Sequence, residues 1–351
     1  MTVVEVDRIL AGKIRRALLA WFRRTKRDLP WRRSTDPYRV WISEIILQQT
    51  RVDQGLPYYE RFLDAFPNVD ALARAPLGRV LKTWEGLGYY ARARNLHNAA
   101  RIVARTGRFP QTAAEWAELP GVGRYTANAI ASIAFAERVP VVDGNVQRVL
   151  ARLFNIPDCI DAAPTRKRLW ALAGDLVPTK APGDFNQAIM ELGARVCISR
   201  KPLCAECPVR ARCQALATGT QEARPARAPK KRIPHIHSVA AIIQNRGRLL
   251  IARRPASGML GGLWEFPAFD ACKNLEQAVI TTLGLDVTVH DCLGAVSHTY
   301  SHRKVTLRVY RCSLNGGRIK TGLYDEAKWV FVRDLGRYAM PGICHKVLQL
   351  L

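Results

Sequence analysis

The chain has 351 residues, 48% of them hydrophobic, which suits two compact domains with real cores and argues against wholesale disorder. No stretch approaches the roughly 18 uninterrupted apolar residues of a membrane span, and Met1 to Leu10 carries Glu5 and Asp7 where a secretory signal would need a basic start and an apolar run. Lys and Arg outnumber Asp and Glu by 54 to 29, a formal charge of +25, which points to a polyanionic partner, with a solubilising surface as the bland alternative.

In chain order, residues from about 5 to 215 show apolar spacing near 3.6, punctuated at Asp36-Pro37, Phe66-Pro67, Leu119-Pro120-Gly121 and Val177-Pro178. This predicts helices joined by short turns, and Asp36-Pro37 reads as a helix cap with proline in the first turn. Trp41 to Thr50 reads as a mostly apolar helix. At 100° per residue Glu44, Gln48 and Arg51 share one side, so a solvated polar face is one reading and a placed carboxyl group the other.

Leu119 to Ala127 separates two helical stretches. Gly121 and Gly123 flank Val122, permit a tight turn and let the backbone approach a ligand closely, while the helix that follows offers free N–H groups to a phosphate. A little further on, Asp143 stands where a helix is expected to start, which suits an N-cap.

Of the nine cysteines, Cys159, Cys272, Cys292, Cys312 and Cys344 are scattered, and no disulfide framework is expected. Cys197, Cys204, Cys207 and Cys213 form C-x6-C-x2-C-x5-C, four thiols within 17 residues, ringed by Arg195, Arg200, Lys201, Arg210 and Arg212. A single C-x2-C knuckle favours a [4Fe–4S] cluster and leaves zinc open. The surrounding cations suit docking on phosphates.

Glu222 to Pro234 mixes Arg224, Arg227, Lys230, Lys231 and Arg232 with three prolines, the composition of an extended basic linker. Beyond it come short β-type runs at Val239–Ile243, Leu249–Ile251, Val305–Tyr310 and Trp329–Val332. Glycine-rich turns are expected at Gly258–Gly262 and Gly316-Gly317, and one helical piece around Leu275–Leu283. The expected division is a helical region 1–216, a linker 217–236 and an α+β domain 237–351.

Several motifs carry a resemblance. Leu119 to Ala127 looks like the hairpin of helix–hairpin–helix base-excision glycosylases. Leu29-Pro30-Trp31-Arg32 through Glu44 to Gln48-Gln49-Thr50, together with Gly86-Leu87-Gly88-Tyr89-Tyr90, resembles MutY-type adenine DNA glycosylases. With Asp143 and the four cysteines, the match covers residues from about 10 to 215. The resemblance implies a mainly α catalytic region bearing a [4Fe–4S] loop, followed by a Nudix-like domain. It implies removal of adenine paired with 8-oxoguanine, and with guanine, from double-stranded DNA. It marks Glu44, Asp143, Tyr125 and Asn145 as catalytic, Glu44 as the acid for adenine N7 and Asp143 as the carboxylate for the sugar cation. Gln49 and Tyr89 match residues that wedge into the stack, Thr50 and Leu87 contacts near the opposing base, and Trp31, Arg32 and Gln187 the lining of the adenine pocket. Gly121 and Gly123 match the phosphate-gripping hairpin.

Tyr125 stands where relatives resembling endonuclease III carry a Schiff-base lysine, and no lysine occurs between Lys82 and Lys167, so strand cleavage is not expected. Gly261 to Pro267 resembles the approach to a Nudix box, but the positions that would hold Mg²⁺-binding glutamates are Gln277, Ala278, Thr281 and Thr282. The role left for the domain is recognition, and Tyr300-Ser301-His302 resembles the Phe-Ser-His motif with which the family reads 8-oxoguanine. A monomer in a bacterial cytoplasm, acting on DNA and not on membranes, completes the expectation.

Overall fold

The computed structural model describes residues 7–229, 232–270 and 274–351; Met1 to Glu5, Lys230, Lys231 and Cys272 lie outside the described residues. By packing, the chain forms two compact units, one of residues 7–51 with 102–229 and one of 52–101 with 232–351. The division expected from the sequence follows the change from helical to β periodicity. Packing instead groups the helices of 52–101 with the sheet.

The first unit contains α1 (Arg8–Thr25) and α2 (Pro37–Leu47). The second contains α3 (Val52–Ala65), α4 (Val69–Arg74), α5 (Leu77–Thr83) and most of α6 (Ala91–Thr106). The first unit then resumes with α7 (Ala113–Ala117), α8 (Arg124–Ala134), α9 (Gly144–Leu153), α10 (Ala163–Leu176), α11 (Pro182–Arg195) and α12 (Gln214–Ala217). Its core is built from the apolar stripes of α1, α9, α10 and α11, among them Leu18, Phe22, Val146, Leu150, Leu169, Leu172, Phe185 and Ile189.

Local chemistry sets the starts of the helices that matter. Asp36 caps α2 by accepting from the Arg39 N–H at 2.8 Å, with Pro37 at the first helical position. The helix expected through Thr50 stops at Leu47, because Gln48 leaves helical geometry (ψ 112°) and Gln49 adopts φ +59°. Glu222 to Ala228 does not hang free as an extended linker. The carbonyl of Ala226 accepts from Ile160 at 3.0 Å, and the Ala228 N–H donates to Asp161 at 3.1 Å.

In the second unit a sheet runs in the order β3-β2-β1-β6-β5, with β4 also on β1 and β7 on β2. Its strands are β1 (His235–Asn245), β2 (Arg248–Arg253), β3 (Trp264–Glu265), β4 (Ala268–Asp270), β5 (Leu285–Tyr300), β6 (Arg303–Gly317) and β7 (Glu326–Phe331). Among the described residues only β1 and β6 pair in parallel. Alternate residues feed opposite faces. Ala240, Ile242, Leu249 and Ile251 pack toward α14 (Gly342–Leu348), and Ala241, Ile243, Leu250 and Ala252 toward α13 (Leu275–Leu283).

Two features differ from the sequence reading. Gly316 and Gly317 are not a turn; they end β6, paired with Asp286 and Leu285. The sixteen-residue β5 had no clear signal, because register shifts between Asp286 and Val287 and around Cys292 break its alternation. Residues 52–101 pack within this unit through Glu85, whose Oε1 accepts from the Met340 N–H at 2.8 Å, and Arg94, which donates to the Gly261 carbonyl at 2.8 Å. Among the described residues no helix is long and apolar enough to cross a membrane.

Candidate active site

A pocket of about 560 Å³ opens in the first unit, with Glu44, Gln48 and Gln49 from the end of α2 facing Gly123, Tyr125 and Asp143. Each wall has a local cause. Gly121 takes φ +77° in the hairpin, where a side chain would be strained, and Gly123 leads into α8 with no side-chain cap, so the N–H groups of its first turn remain for an outside acceptor. Asp143 is the N-cap of α9 and accepts from the Val146 N–H at 2.7 Å, which fixes its carboxylate. Such a cap contributes about 1 kcal/mol.

Glu44 is 8% exposed, so the solvated polar face open at the sequence level is excluded. Its cover comes from across the fold: the Tyr125 hydroxyl donates to Glu44 Oε2 at 2.9 Å and also lies 3.2 Å from Met190 Sδ. Burial pushes the Glu44 carboxyl up to about 7; the Tyr125 hydrogen bond opposes the rise, the Asp143 charge adds to it and the Arg32 charge opposes it. Burial also raises Asp143, against hydrogen bonds from the Val146 N–H and the Asn145 side chain, the latter at 3.0 Å. Two nearby carboxyls therefore sit in unlike surroundings. One has a single phenol donor, the other two N–H donors at a helix start.

Asn145 is held in turn. Its Oδ1 accepts from Arg148 at 2.8 Å, and Arg148 also donates to the carbonyls of Gly193 and Cys197, both at 2.7 Å. Gly193 lets α11 come this close, since a Cβ there would stand 2.7 Å from the Asn145 Cβ.

Trp31, Arg32 and Gln187 do not line this pocket. Trp31 is buried, Gln187 is half-buried on α11, and Arg32 is committed to Glu191 at 2.8 Å. Glu191 is a buried carboxylate that the sequence reading missed. It also binds Arg27 at 2.8 Å, and the available signal was a charged residue among Ala188, Ile189 and Leu192 on the buried side of α11. Burial favours its neutral form, but hydrogen bonds from Arg27 and Arg32 overcome this and hold it down at about 2. Thr50 follows the strained Gln49 in the turn, its N–H bonded to the Leu47 carbonyl at 3.2 Å.

Cys197, Cys204, Cys207 and Cys213 all line one small pocket, with Arg152 beside them. Burial raises the thiols of Cys204 and Cys213, and that of Cys207 to about 11, and neighbouring cysteines add to each rise. Arg152 is 2% exposed and clamps the loop through the carbonyls of Ile198 (2.6 Å) and Ser199 (3.0 Å). Arg195, Arg200, Lys201 and Arg210 are exposed around it. Among the described residues no group of three or more His, Cys, Asp or Glu side chains forms a single-ion site.

In the second unit Leu87 is half-buried, and Tyr89 is 46% exposed with φ +47°. The Tyr89 hydroxyl bonds to Ser301 Oγ. Ser301 and His302 are exposed in the turn between β5 and β6, whereas Tyr300 is half-buried and lines a cavity of the sheet domain. Gln277, Ala278, Thr281 and Thr282 all lie on α13.

A helical unit with a glycine hairpin and paired carboxyls, and a second unit with a mixed sheet, define a class. Residues 42–174 match the HhH-GPD superfamily of base excision DNA repair proteins, and residues 238–350 match the NUDIX domain. A solved thermostable thymine-DNA glycosylase is 30% identical with TM-score 0.54, covering 60% of this chain and 98% of its own. An endonuclease III–DNA complex, 20% identical at TM-score 0.51, shares the fold, over 62% of this chain and 99% of that one. The class is thus a DNA N-glycosylase of base-excision repair. Within it, adenine DNA glycosylase from Homo sapiens is 36% identical over 96% of this chain and 73% of its own length. That from Buchnera aphidicola subsp. Acyrthosiphon pisum is 36% identical over 81% and 82%. The chain belongs to the adenine DNA glycosylase family.

Proposed function

We propose that this enzyme hydrolyses the N-glycosidic bond of adenine paired with 8-oxoguanine, and with guanine, in duplex DNA, and leaves the strand intact. The observation that carries the reading is the Glu44 carboxyl, buried, raised to about 7 and hydrogen-bonded by Tyr125 beside Asp143. Adenine leaves poorly as an anion. An acid with a pKa near the working pH is present in both its donating and its accepting form, so Glu44 can hand a proton to adenine N7 near neutrality. Asp143, fixed by two N–H donors, then faces the sugar as it gains positive charge and stabilises it electrostatically. Neither group can reach a stacked base, so the adenine is extruded first, at a cost of a few kcal/mol. Gln49 and Tyr89 enter the stack. Both hold left-handed backbone conformations, Gln49 just after α2 and Tyr89 just before α6.

The family resemblance assigns adenine contacts to Trp31, Arg32 and Gln187 as well, although here they stand outside the Glu44 pocket and Arg32 is held by Glu191. Thr50, Leu87 and the exposed Ser301-His302 turn beside Tyr300 read the opposite base, and Gly121 and Gly123 offer backbone N–H groups to phosphate. Tyr125 cannot form a Schiff base, and its hydroxyl is committed to Glu44. Cys197, Cys204, Cys207 and Cys213 would hold a [4Fe–4S] cluster: an all-thiol donor set on one pocket fits that group. When bound it supplies positive charge that favours the thiolates and ties the basic loop together for docking on phosphate.

The test uses a labelled duplex with adenine opposite 8-oxoguanine, read with and without hot alkali. Breaks that need alkali with wild type and vanish with Glu44→Gln are expected. Breaks without alkali would overturn the monofunctional reading. No breaks, with DNA still bound, would leave a binding protein without chemistry.

A further inference from the structure

Three glutamates are buried among the described residues: Glu44, Glu191 and Glu265. Glu265, the last residue of β3, lines the cavity of the sheet domain, where its Oε1 accepts from Arg254 at 2.8 Å and from the Tyr324 hydroxyl at 3.3 Å. Glu191 is the deepest of the three, 1% exposed, and the chemistry of Glu44 and Asp143 makes no direct use of it. A buried carboxylate is costly unless it is paired, so what it pairs with is informative.

Glu191 grips two arginines on a short piece of chain. Arg27 places Nε on Oε1 and Nη2 on Oε2, both at 2.8 Å, and Arg32 adds Nη2 on the same Oε2 at 2.8 Å. Arg195, 3.7 Å from Oε1, is a third cation facing it. The Arg32 guanidinium also lies 5.3 Å from the centre of the Phe22 ring and donates to the Arg27 carbonyl at 3.3 Å, so it is held on three sides.

Both ends of this assembly abut the acid. The helical turn Pro30–Arg32 packs on α2, which carries Glu44, and α11 packs on α8 and α9. Glu191 follows Met190, whose Sδ lies 3.2 Å from the Tyr125 hydroxyl that donates to Glu44. Among the described residues, the groups that act on Glu44 are Tyr125 from α8, Asp143 from the start of α9 and Arg32 from the turn; of these Arg32 alone is cationic. An unaccompanied guanidinium there would favour the ionised acid. Paired with a carboxylate it acts as a dipole, whose field falls off faster than that of a lone charge.

We propose that Glu191 is a positioning residue for the general acid: it fixes Arg32 beside α2, with Arg27 as the brace, and offsets the guanidinium charge so that Glu44 keeps its proton near neutrality. The proposal rests on the reading of Glu44 as the proton donor.

Single-turnover release of adenine from the 8-oxoguanine duplex, followed across pH with the full chain carrying its cluster, tests this. A glutamate that merely kept the fold would scale the rate at every pH and leave the alkaline limb in place. Glu191→Gln is expected to move that limb to lower pH by about half a unit or more, because Arg32 then acts unopposed. Glu191→Asp keeps the charge and should leave the limb where wild type has it. Arg32→Gln should move the limb to higher pH, whatever it does to the plateau. The double variant Glu191→Gln/Arg32→Gln should bring it back to the wild-type position. If Glu191→Gln alone does not fold, the comparison of Arg32→Gln with the double variant carries the test. A limb that stays put in Glu191→Gln, or a double variant that stays with Arg32→Gln, overturns the proposal while an inactive Glu44→Gln keeps Glu44 as the acid. Adenine release by Glu44→Gln would overturn both readings together.

Discussion

The pocket around Glu44 and the cavity around Glu265 each place a buried glutamate under a tyrosine hydroxyl, at 2.9 and 3.3 Å respectively. They differ in what else faces the carboxyl. Glu44 has the charges of Asp143 and Arg32 near it and, among the described residues, no cation hydrogen-bonded to it, whereas Glu265 takes a guanidinium at 2.8 Å. Burial raises both, and at Glu265 a directly bonded arginine works against the rise. The same residue type under the same cover is proposed as a proton donor in one place and accepts an arginine in the other. Neighbouring charge differs between them: Asp143 adds to the rise at Glu44 while Arg32 opposes it, and at Glu265 the bonded Arg254 opposes the rise.

The largest expected effect tests the donor side of this contrast. Glu44→Gln keeps the shape and loses the proton, and should lower single-turnover adenine release by about 10³-fold or more while DNA binding persists. A loss under tenfold would mean that Glu44 is merely buried and the contrast fails. Glu191 extends the paired side. Its carboxylate serves Arg27 and Arg32 with the side chain 1% exposed, and Glu191→Gln should cost about 3 kcal/mol of stability at neutral pH, since two guanidinium groups are left short of a partner. Its lowered pKa means that this contribution is complete above the unfolded carboxylate range and is lost as pH falls toward about 2. Denaturant unfolding across that window should therefore be flatter for Glu191→Gln than for wild type.

Asp143→Asn separates two roles of one side chain. Asparagine caps helices as well as aspartate does, so Tm should hardly move. Release of adenine should fall by about 10²-fold as the sugar loses its counter-charge. A parallel loss of stability and activity would reduce Asp143 to its capping role.

The sequence displayed what is local and concealed what is distant. The caps at Asp36 and Asp143, the hairpin at Gly121–Gly123 and the cysteine spacing depend on a few neighbouring residues, and each stands where the pattern put it. The burial of Glu44 does not. A regular helix through Thr50 would have set Glu44, Gln48 and Arg51 on one solvated stripe, but the helix ends at Leu47 and Tyr125 closes over the carboxyl from 81 residues away. Glu191 was missed for the same reason, its arginines lying 159 and 164 residues distant. β5 escaped notice because bulges shift its alternation. The packing of 52–101 with the sheet rests on contacts such as Glu85 with Met340, 255 residues apart, which no local pattern encodes.

The smallest effect is the most specific to the contrast between the two glutamates. A general acid acts in its protonated form, so the rate should hold just below pH 7, until Asp143 itself protonates at lower pH, and fall about tenfold per pH unit once Glu44, with its pKa of about 7, has ionised. The Tyr125 hydroxyl stabilises the ionised form and thereby opposes the rise. Removing it in Tyr125→Phe must push the Glu44 pKa further up and move the alkaline limb of the pH–rate profile to higher pH, with little change in the plateau rate. The paired glutamate behaves differently: Tyr324→Phe removes a hydrogen bond to Glu265, which lies outside the Glu44 pocket, and adenine release should keep its pH profile. A limb that stays fixed in Tyr125→Phe, or moves to lower pH, would show that the titrating acid is some group other than Glu44.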